Sequence, residues 1–478
     1  MSNTAQVSAR GRIEALLDDN SFVEIGAAIT KRNTDFNLQQ KAVPADGVIT
    51  GYGLIDGSLV YVYSQDGTAL GGSVGEMHAK KICGLYDLAC KVGAPVIGLV
   101  DCAGLRLEEA TDALDAFGQI YVKQTMASGV IPQIMAVFGT CGGGVAVSSS
   151  LCDFTFMAGK DARVFVNSPN AIEGNHIAKE DTSGAAFQAA AGNVDFICEE
   201  EAEVFAQMRQ LVSILPNNNE DDDSYDECQD DLNRQVPAFA AEADDAAEAF
   251  KDISDNNLFV EVKAEYAKEM VTGFIRLNGV TVGAVGNRKA VLDENYKAVE
   301  TFDGSLSTKG CYKAEKFVEF CDAFNIPVLT LTNVDGYRAT KAEEKSIAIA
   351  VAKLTYAFAN ATVPKVNVIA GKAYGSAYVS MNSKHIGADM VFALPNAQIG
   401  MMDAKLAAGI MYSGEAADVI DARASEYAAL QESAEAAAKR GYVDSIIEAD
   451  EVRAQLIYTF EMLFTKRENR PSKKHGTV

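Results

Sequence analysis

The chain carries one pattern twice. Ala94-Pro95-Val96-Ile97, Gly104-Leu105-Arg106, Ile131-Pro132-Gln133-Ile134 and Gly139-Thr140-Cys141-Gly142-Gly143-Gly144 recur as Ile326-Pro327-Val328-Leu329, Gly336-Tyr337-Arg338, Val363-Pro364-Lys365-Val366 and Gly371-Lys372-Ala373-Tyr374-Gly375-Ser376. The anchor pairs Pro95/Pro327, Gly104/Gly336, Arg106/Arg338, Pro132/Pro364, Gly139/Gly371 and Gly143/Gly375 all stand 232 positions apart. A shared offset over so many anchors implies a duplicated unit, whose glycines recur where chemistry would need exposed backbone amides.

Each copy reads strand, loop, helix, strand, loop, helix. The apolar runs 96–100 and 328–332, each preceded by Pro, have strand character, as do 134–138 and 366–370. Apolar residues at helical spacing mark 80–92 and 313–324 as helices. The runs 145–151 and 377–381 follow glycine turns as buried helices. Strands alternating with helices imply an α/β class with a mostly parallel core and loops at the strand ends. The stretch 415–440, rich in Ala, Glu and Lys, predicts long amphipathic helices that dock on a partner subunit.

At 478 residues the chain is long for a single core. The acidic run 220–231 carries eight carboxylates in twelve residues. It lies between the copies, where a solvated connection belongs. The expected division is therefore 1–215, a boundary region 216–250, and 251–478. A net charge of −24 argues against nucleic acid, which needs clustered Lys and Arg. No apolar run is long enough to span a membrane, and no secretory signal is read, so a cytoplasmic location is expected. The nine scattered cysteines include no C-x-x-C pair; reduced thiols and no metal site are expected.

A turn such as Gly139-Thr140-Cys141-Gly142-Gly143-Gly144 admits two readings. It can be a tight turn packed closely between strand and helix. Alternatively, the first amides of a following helix lack intrahelical acceptors and can converge on one developing negative charge, an oxyanion hole. Because the second copy keeps small residues at Gly375-Ser376-Ala377, two such holes in one chain are expected.

The motifs resemble those of the carboxyltransferase subunits of biotin-dependent acyl-CoA carboxylases and decarboxylases, of the propionyl-CoA carboxylase beta and methylmalonyl-CoA decarboxylase alpha type. The resemblance runs nearly end to end. It is carried by Arg12-Ile13-Glu14-Ala15-Leu16-Leu17-Asp18, Pro44-Ala45-Asp46-Gly47-Val48, Gly71-Gly72-Ser73-Val74-Gly75-Glu76-Met77-His78-Ala79-Lys80-Lys81 and Ala127-Ser128-Gly129-Val130-Ile131-Pro132-Gln133. In the second copy it is carried by Val271-Thr272-Gly273-Phe274, Phe320-Cys321-Asp322-Ala323-Phe324, Gly371-Lys372-Ala373-Tyr374-Gly375-Ser376-Ala377-Tyr378 and Met381-Asn382-Ser383-Lys384-His385.

The resemblance implies a fold of two tandem crotonase-like (ClpP-like) β-β-α superhelix domains, the first on the acyl-CoA side and the second on the biotin side. By the same resemblance, amides at Gly143 and Gly144 would hold the thioester oxygen of a short acyl-CoA, methylmalonyl-CoA or propionyl-CoA, as its enolate forms. Amides at Ser376 and Ala377 would hold the ureido oxygen of biotin. Gly72, Ser73, Gly104, Arg106, Tyr378 and Val379 would line the substrates, with Val379 at the acyl pocket; the residues on the CoA phosphates are not identified by the motifs, and Arg106 and Lys81 fit that role and an ordinary surface-charge role equally well. Biotin itself takes the α-proton in this chemistry, so no protein base is needed. Neither a biotinylation motif nor an ATP-binding loop is found, so biotin would ride on a separate carrier protein. A biotin carboxylase subunit or a membrane decarboxylase subunit would complete the system. A homohexamer is expected, its active sites between the first domain of one subunit and the second of another.

The chain departs from the family pattern in both copies. Gly375-Ser376 replaces two glycines, Val334-Asp335-Gly336-Tyr337 replaces Val-Pro-Gly-Phe, and Cys102-Ala103-Gly104-Leu105-Arg106 has one glycine fewer than Ser-Gly-Gly-Ala-Arg. The direction is read toward decarboxylation, with the forward acetyl- or propionyl-CoA carboxylase as the alternative. Two other classes stay open: a crotonase-type hydratase or isomerase using Glu108 or Glu109 as base, and a non-catalytic scaffold. Lys384-His385 invites a nucleophile reading or a structural one.

Overall fold

The computed structural model describes residues 7–34, 43–221 and 227–478. Two compact units divide the chain, Met1–Ser224 and Tyr225–Val478. The first contains strands β1 (Val23–Ile25), β2 (Val48–Ile55), β3 (Ser58–Gln65), β4 (Val96–Cys102), β5 (Gln133–Gly142), β6 (Phe154–Ala158), β7 (Arg163–Phe165) and β8 (Phe196–Cys198). They form one sheet in the order β1-β2-β3-β4-β5-β6-β8, with β7 also on β5. The second unit contains β9 (Phe259–Glu261), β10 (Met270–Leu277), β11 (Val280–Asn287), β12 (Ala290–Leu292), β13 (Ala298–Thr301), β14 (Ser305–Leu306), β15 (Val328–Val334), β16 (Gly336–Tyr337), β17 (Lys365–Tyr374), β18 (Met390–Ala393), β19 (Gln398–Gly400) and β20 (Ser445–Ile446). Its main sheet runs β9-β10-β11-β15-β17-β18-β20, with β19 on β17, which repeats the first order strand for strand.

Each sheet opens with an antiparallel hairpin and continues in parallel. The hairpin turns are Asp56-Gly57 and Asn278-Gly279, all four residues at positive φ. This matches the two-residue turn whose twist suits paired strands. One carboxylate caps each turn. Asp18 accepts from the amides of Asp56 and Gly57 at 3.1 and 3.0 Å, and Asp255 accepts from those of Asn278 and Gly279 at 3.2 and 2.7 Å. Arg209 and Arg453 donate to these carboxylates at 2.8 and 2.7 Å.

The parallel pairs keep the sequence offset: Val96 faces Gln133 and Val328 faces Lys365. Both break register at one place, after Val100 and after Thr332. Such bulges re-aim side chains beside sites. Here they free Asp101 and Asn333 to accept from the amides of Thr140 and Lys372, both at 3.1 Å. A Cβ on Gly139 or Gly371 would stand 2.2 Å from Asp101 or 2.5 Å from Asn333. These two recurring glycines therefore serve close packing and not exposed amides.

The first core gathers Ile82, Leu85 and Tyr86 from the helix Glu76–Val92 against Val96, Val100, Met135 and Val137. The second places Phe239, Phe250, Leu329, Val366, Phe392 and Leu456 together. The stretch 216–250, read as a connection, divides instead. From Val236 onward it belongs to the second core, through the helices Phe239–Glu242 and Ala246–Ile253. Residues 222–226 of its acidic run lie outside the described residues. The long helices expected over 415–440 are broken into Ala417–Tyr427, a wider turn over Ala428–Glu432, and Ala434–Ala438. The break falls at Ser433, extended at ψ 151°, whose hydroxyl caps the last piece through the Ala436 amide. Among the described residues no helix is long and apolar enough to cross a membrane.

Candidate active site

In each unit a glycine follows the end of the bulged strand and a short helix begins there: Gly144–Leu151 after β5 and Gly375–Ser380 after β17. Gly143 and Gly375 hold φ of 63° and 62°, a turn that a side chain would strain. The repeat offset pairs Gly144 with Ser376 and Val145 with Ala377. The Gly143 amide is already engaged, donating to the Phe165 carbonyl at 2.8 Å. The first-turn amides of Gly144 and Val145, which have no intrahelical acceptor, are thus the counterparts of those at Ser376 and Ala377. The sequence expectation for the first hole paired Gly143 with Gly144; of these the Gly143 amide is the one already engaged, and Val145 supplies the other first-turn amide of this helix.

The wall behind the first turn is aromatic. Tyr121 donates to the Gly144 carbonyl at 2.7 Å, and a Cβ on Gly144 would lie 2.8 Å from its Oη. Gly104 lies beside this turn. The Val74 amide donates to the Gly104 carbonyl at 2.9 Å, and a Cβ on Gly104 would lie 3.2 Å from the Gly142 carbonyl. Gly72 packs on the Asp101 carbonyl, and Ser73 accepts from Arg106 Nε at 3.4 Å.

Arg106 takes a different place from the one expected. It is fully buried and donates to Asp46 at 2.5 Å, Glu109 at 2.9 Å and the Ser73 carbonyl at 2.7 Å. An arginine enclosed in this way cannot reach a solvated phosphate. Lys81 is also enclosed, donating to the carbonyls of Ala45 and Val48, and burial lowers its pKa to about 8. Its repeat partner Lys313 does the same with Lys263 and Tyr266. His78, in the same cluster, falls to about 3 through burial and the nearby Arg106. Glu109 is committed too, accepting from Arg106 and from the Glu76 amide at 2.6 Å. Glu108 is exposed.

The second turn faces a cavity of about 280 Å³ lined by Asp335, Gly336, Tyr337, Lys372, Tyr374, Gly375, Ser376, Ala377, Met401, Met402, Asp403 and Leu406. Asp335 pairs with Lys289 at 3.1 Å and Lys372 at 3.4 Å. Tyr337 donates to Ser376 Oγ at 3.0 Å. Sequence reasoning named Ser376 and Ala377 but missed Lys372, Asp335 and Tyr337 as lining residues. Their signal was the replaced loop over 334–337. Tyr378 is buried and lies edge-on to His385 at 5.8 Å, its hydroxyl pushed up to about 12 by burial. Val379 is half-buried and does not line the cavity. Lys384 donates to Asp444 at 2.9 Å, and the His385 ring packs between Tyr378 and Tyr442. This pair is structural. Among the described residues no group of His, Cys, Asp and Glu could hold a metal ion.

Known proteins share this duplicated architecture. The carboxyl transferase domain family matches residues 3–478. The chain belongs to that family. It is an enzyme of the carboxyltransferase class, with the duplicated crotonase-like fold. It is 38% identical to the methylmalonyl-CoA decarboxylase subunit alpha of Propionigenium modestum, over 99% of this chain and 93% of that one. It is 41% identical to a putative propionyl-CoA carboxylase beta chain of Bacillus subtilis, over 99% and 94%. The crystal structure of the transcarboxylase 12S hexamer, with methylmalonyl-CoA bound, superposes with a TM-score of 0.91 at 35% identity, covering 98% of this chain and 92% of that one.

Proposed function

We propose that this protein moves a carboxyl group between the α-carbon of a short acyl-CoA, methylmalonyl-CoA or propionyl-CoA, and biotin on a separate carrier protein. One observation carries the reading: the chain builds the same strand–bulge–turn–helix junction twice, with unengaged first-turn amides at equivalent positions. Carboxyl transfer at a thioester α-carbon generates negative charge on two oxygens, one on each substrate. Each needs donors placed in advance, and one such donor is worth about 3–4 kcal/mol of barrier. Gly144 and Val145 hold the thioester oxygen in this reading, and Ser376 and Ala377 the ureido oxygen. After carboxybiotin gives up its carboxyl, the ring nitrogen left behind would take the α-proton, and in the reverse direction the same nitrogen would return that proton to the α-carbon as it accepts the carboxyl, so the chain provides orientation and donors only.

The hydratase or isomerase reading needs a free glutamate: Glu109 is held by Arg106 and the Glu76 amide, Glu108 is exposed, and the biotin dependence of turnover separates that reading from carboxyl transfer. The methylmalonyl-CoA substrate and a hexamer follow the transcarboxylase 12S neighbour, and the proposal adds a cytoplasmic location, a biotin carrier and either a biotin carboxylase or a membrane decarboxylase subunit. The first unit is the acyl-CoA side and the second the biotin side. Purified protein incubated with malonyl-, methylmalonyl- and glutaconyl-CoA should lose carboxylate from methylmalonyl-CoA in a manner that depends on added free biotin. Turnover of an enoyl-CoA without biotin, or no biotin dependence at all, would overturn the reading.

A further inference from the structure

The two departures from the family pattern nearest the second turn meet each other. Ser376 stands where the family has glycine, Tyr337 where it has phenylalanine, and Tyr337 Oη donates to Ser376 Oγ at 3.0 Å. Both side chains line the 280 Å³ cavity, and Ser376 is exposed to it. A serine hydroxyl is one donor and two acceptors. With one acceptor site filled by the tyrosine, the serine proton is left to point away from Tyr337 and into the cavity. A donor that itself accepts a hydrogen bond is polarised and strengthened. Short parallel pairing, Ser305–Leu306 against Gly336–Tyr337, fixes the backbone from which the Tyr337 ring extends.

We infer that Tyr337 and Ser376 form a hydroxyl relay that adds a side-chain donor to the second site, Ser376 contacting the acceptor oxygen of the ligand and Tyr337 positioning Ser376. The ligand class is a small cyclic urea or amide whose carbonyl oxygen gains negative charge. This rests on the proposed assignment of the second unit to biotin. Neither hydroxyl belongs to the helix backbone, so the relay stands independently of the amides of Ser376 and Ala377.

The test uses the full chain with free biotin and methylmalonyl-CoA, comparing the parent with Tyr337→Phe, Ser376→Ala and the double variant. Loss of one neutral hydrogen bond is worth about 0.5–1.5 kcal/mol, or roughly 2- to 12-fold. Each single variant should raise the KM for biotin by about that factor, with the KM for methylmalonyl-CoA and the melting temperature unchanged. The double variant should be no worse than Ser376→Ala, because Tyr337 acts through Ser376. Unchanged biotin KM in either single variant, equal shifts for both substrates, or additive losses in the double variant overturn the relay. A parent without biotin-dependent turnover overturns the assignment of the site itself, and is distinguished by requiring no variant.

Discussion

Adjacent glycines at the first turn are constrained by different physics. Above Gly143 a Cβ would meet open space, so the constraint there is backbone conformation alone. At Gly144 the limit is steric: a Cβ would press on Tyr121 Oη at 2.8 Å, with Phe117 next at 3.2 Å. Gly144→Ala should therefore destabilise through overpacking, by about 1–3 kcal/mol. Removing the hydroxyl removes the nearest obstacle, so Tyr121→Phe should restore most of that loss when combined with Gly144→Ala. Thermal melts of the four proteins would check it, and strictly additive losses would count against it. Ser376, the repeat partner of Gly144, has its side chain in a cavity instead of against an aromatic wall. Sequence alone located both turns to within a residue but could not tell these surroundings apart, because they come from a distant helix and loop. The same holds for Arg106. Its charge suggested a phosphate partner, whereas Asp46 and Glu109, one of them 60 positions away in sequence, enclose it.

The duplication extends beyond the matched motifs into elements with a different offset. The hairpin turns Asp56-Gly57 and Asn278-Gly279 stand 222 positions apart, not 232. Ten further residues enter the second copy before Ser305, where the exposed hairpin β12–β13 lies. That insertion hid the earlier half of the repeat, although Asp-Gly and Asn-Gly are strong hairpin signals. The parallel strands and their helices were legible because Pro, Gly and apolar runs coincide in both copies. The antiparallel opening was not, since its partners are set by turns that no comparison of the copies aligned. Both turns rest on an Asp–Arg pair, but at different depths. Arg453 is fully buried against Asp255, whereas Arg209 and Asp18 are each more than a quarter exposed. Breaking a buried pair costs about 3–5 kcal/mol, and an exposed one about 0–1 kcal/mol. Asp255→Ala should therefore lower the free energy of unfolding far more than Asp18→Ala, read by urea denaturation. Equal losses would mean that the turn amides, common to both sites, dominate.

Assembly belongs to the scale of the whole molecule. The helices Ala404–Met411 and Ala417–Tyr427 pack on each other through buried Ala404, Ala408 and Ala424, with Tyr412, Ile420 and Tyr427 partly buried against them. Ile410 and Met411, on the same helix, face outward, 61% and 55% exposed. A solvated helix pair would place its large aliphatic groups inside and its alanines outside. The exposed Ile410 and Met411 suit a surface covered by another copy, and with a net charge of −24 such copies repel unless apolar contact outweighs the repulsion. Light scattering of the purified protein should give a mass near six times 50.9 kDa, insensitive to salt above the physiological range. Ile410→Asp adds a charge to the apolar face without touching the alanine core. It should shift the mass to smaller species while the far-ultraviolet dichroism stays that of the parent. An unchanged mass would leave the hairpin outside the assembly contact. Dissociation accompanied by lost helicity would instead show that Ile410 supports its own hairpin, since a residue that only meets another copy has no part in folding its own.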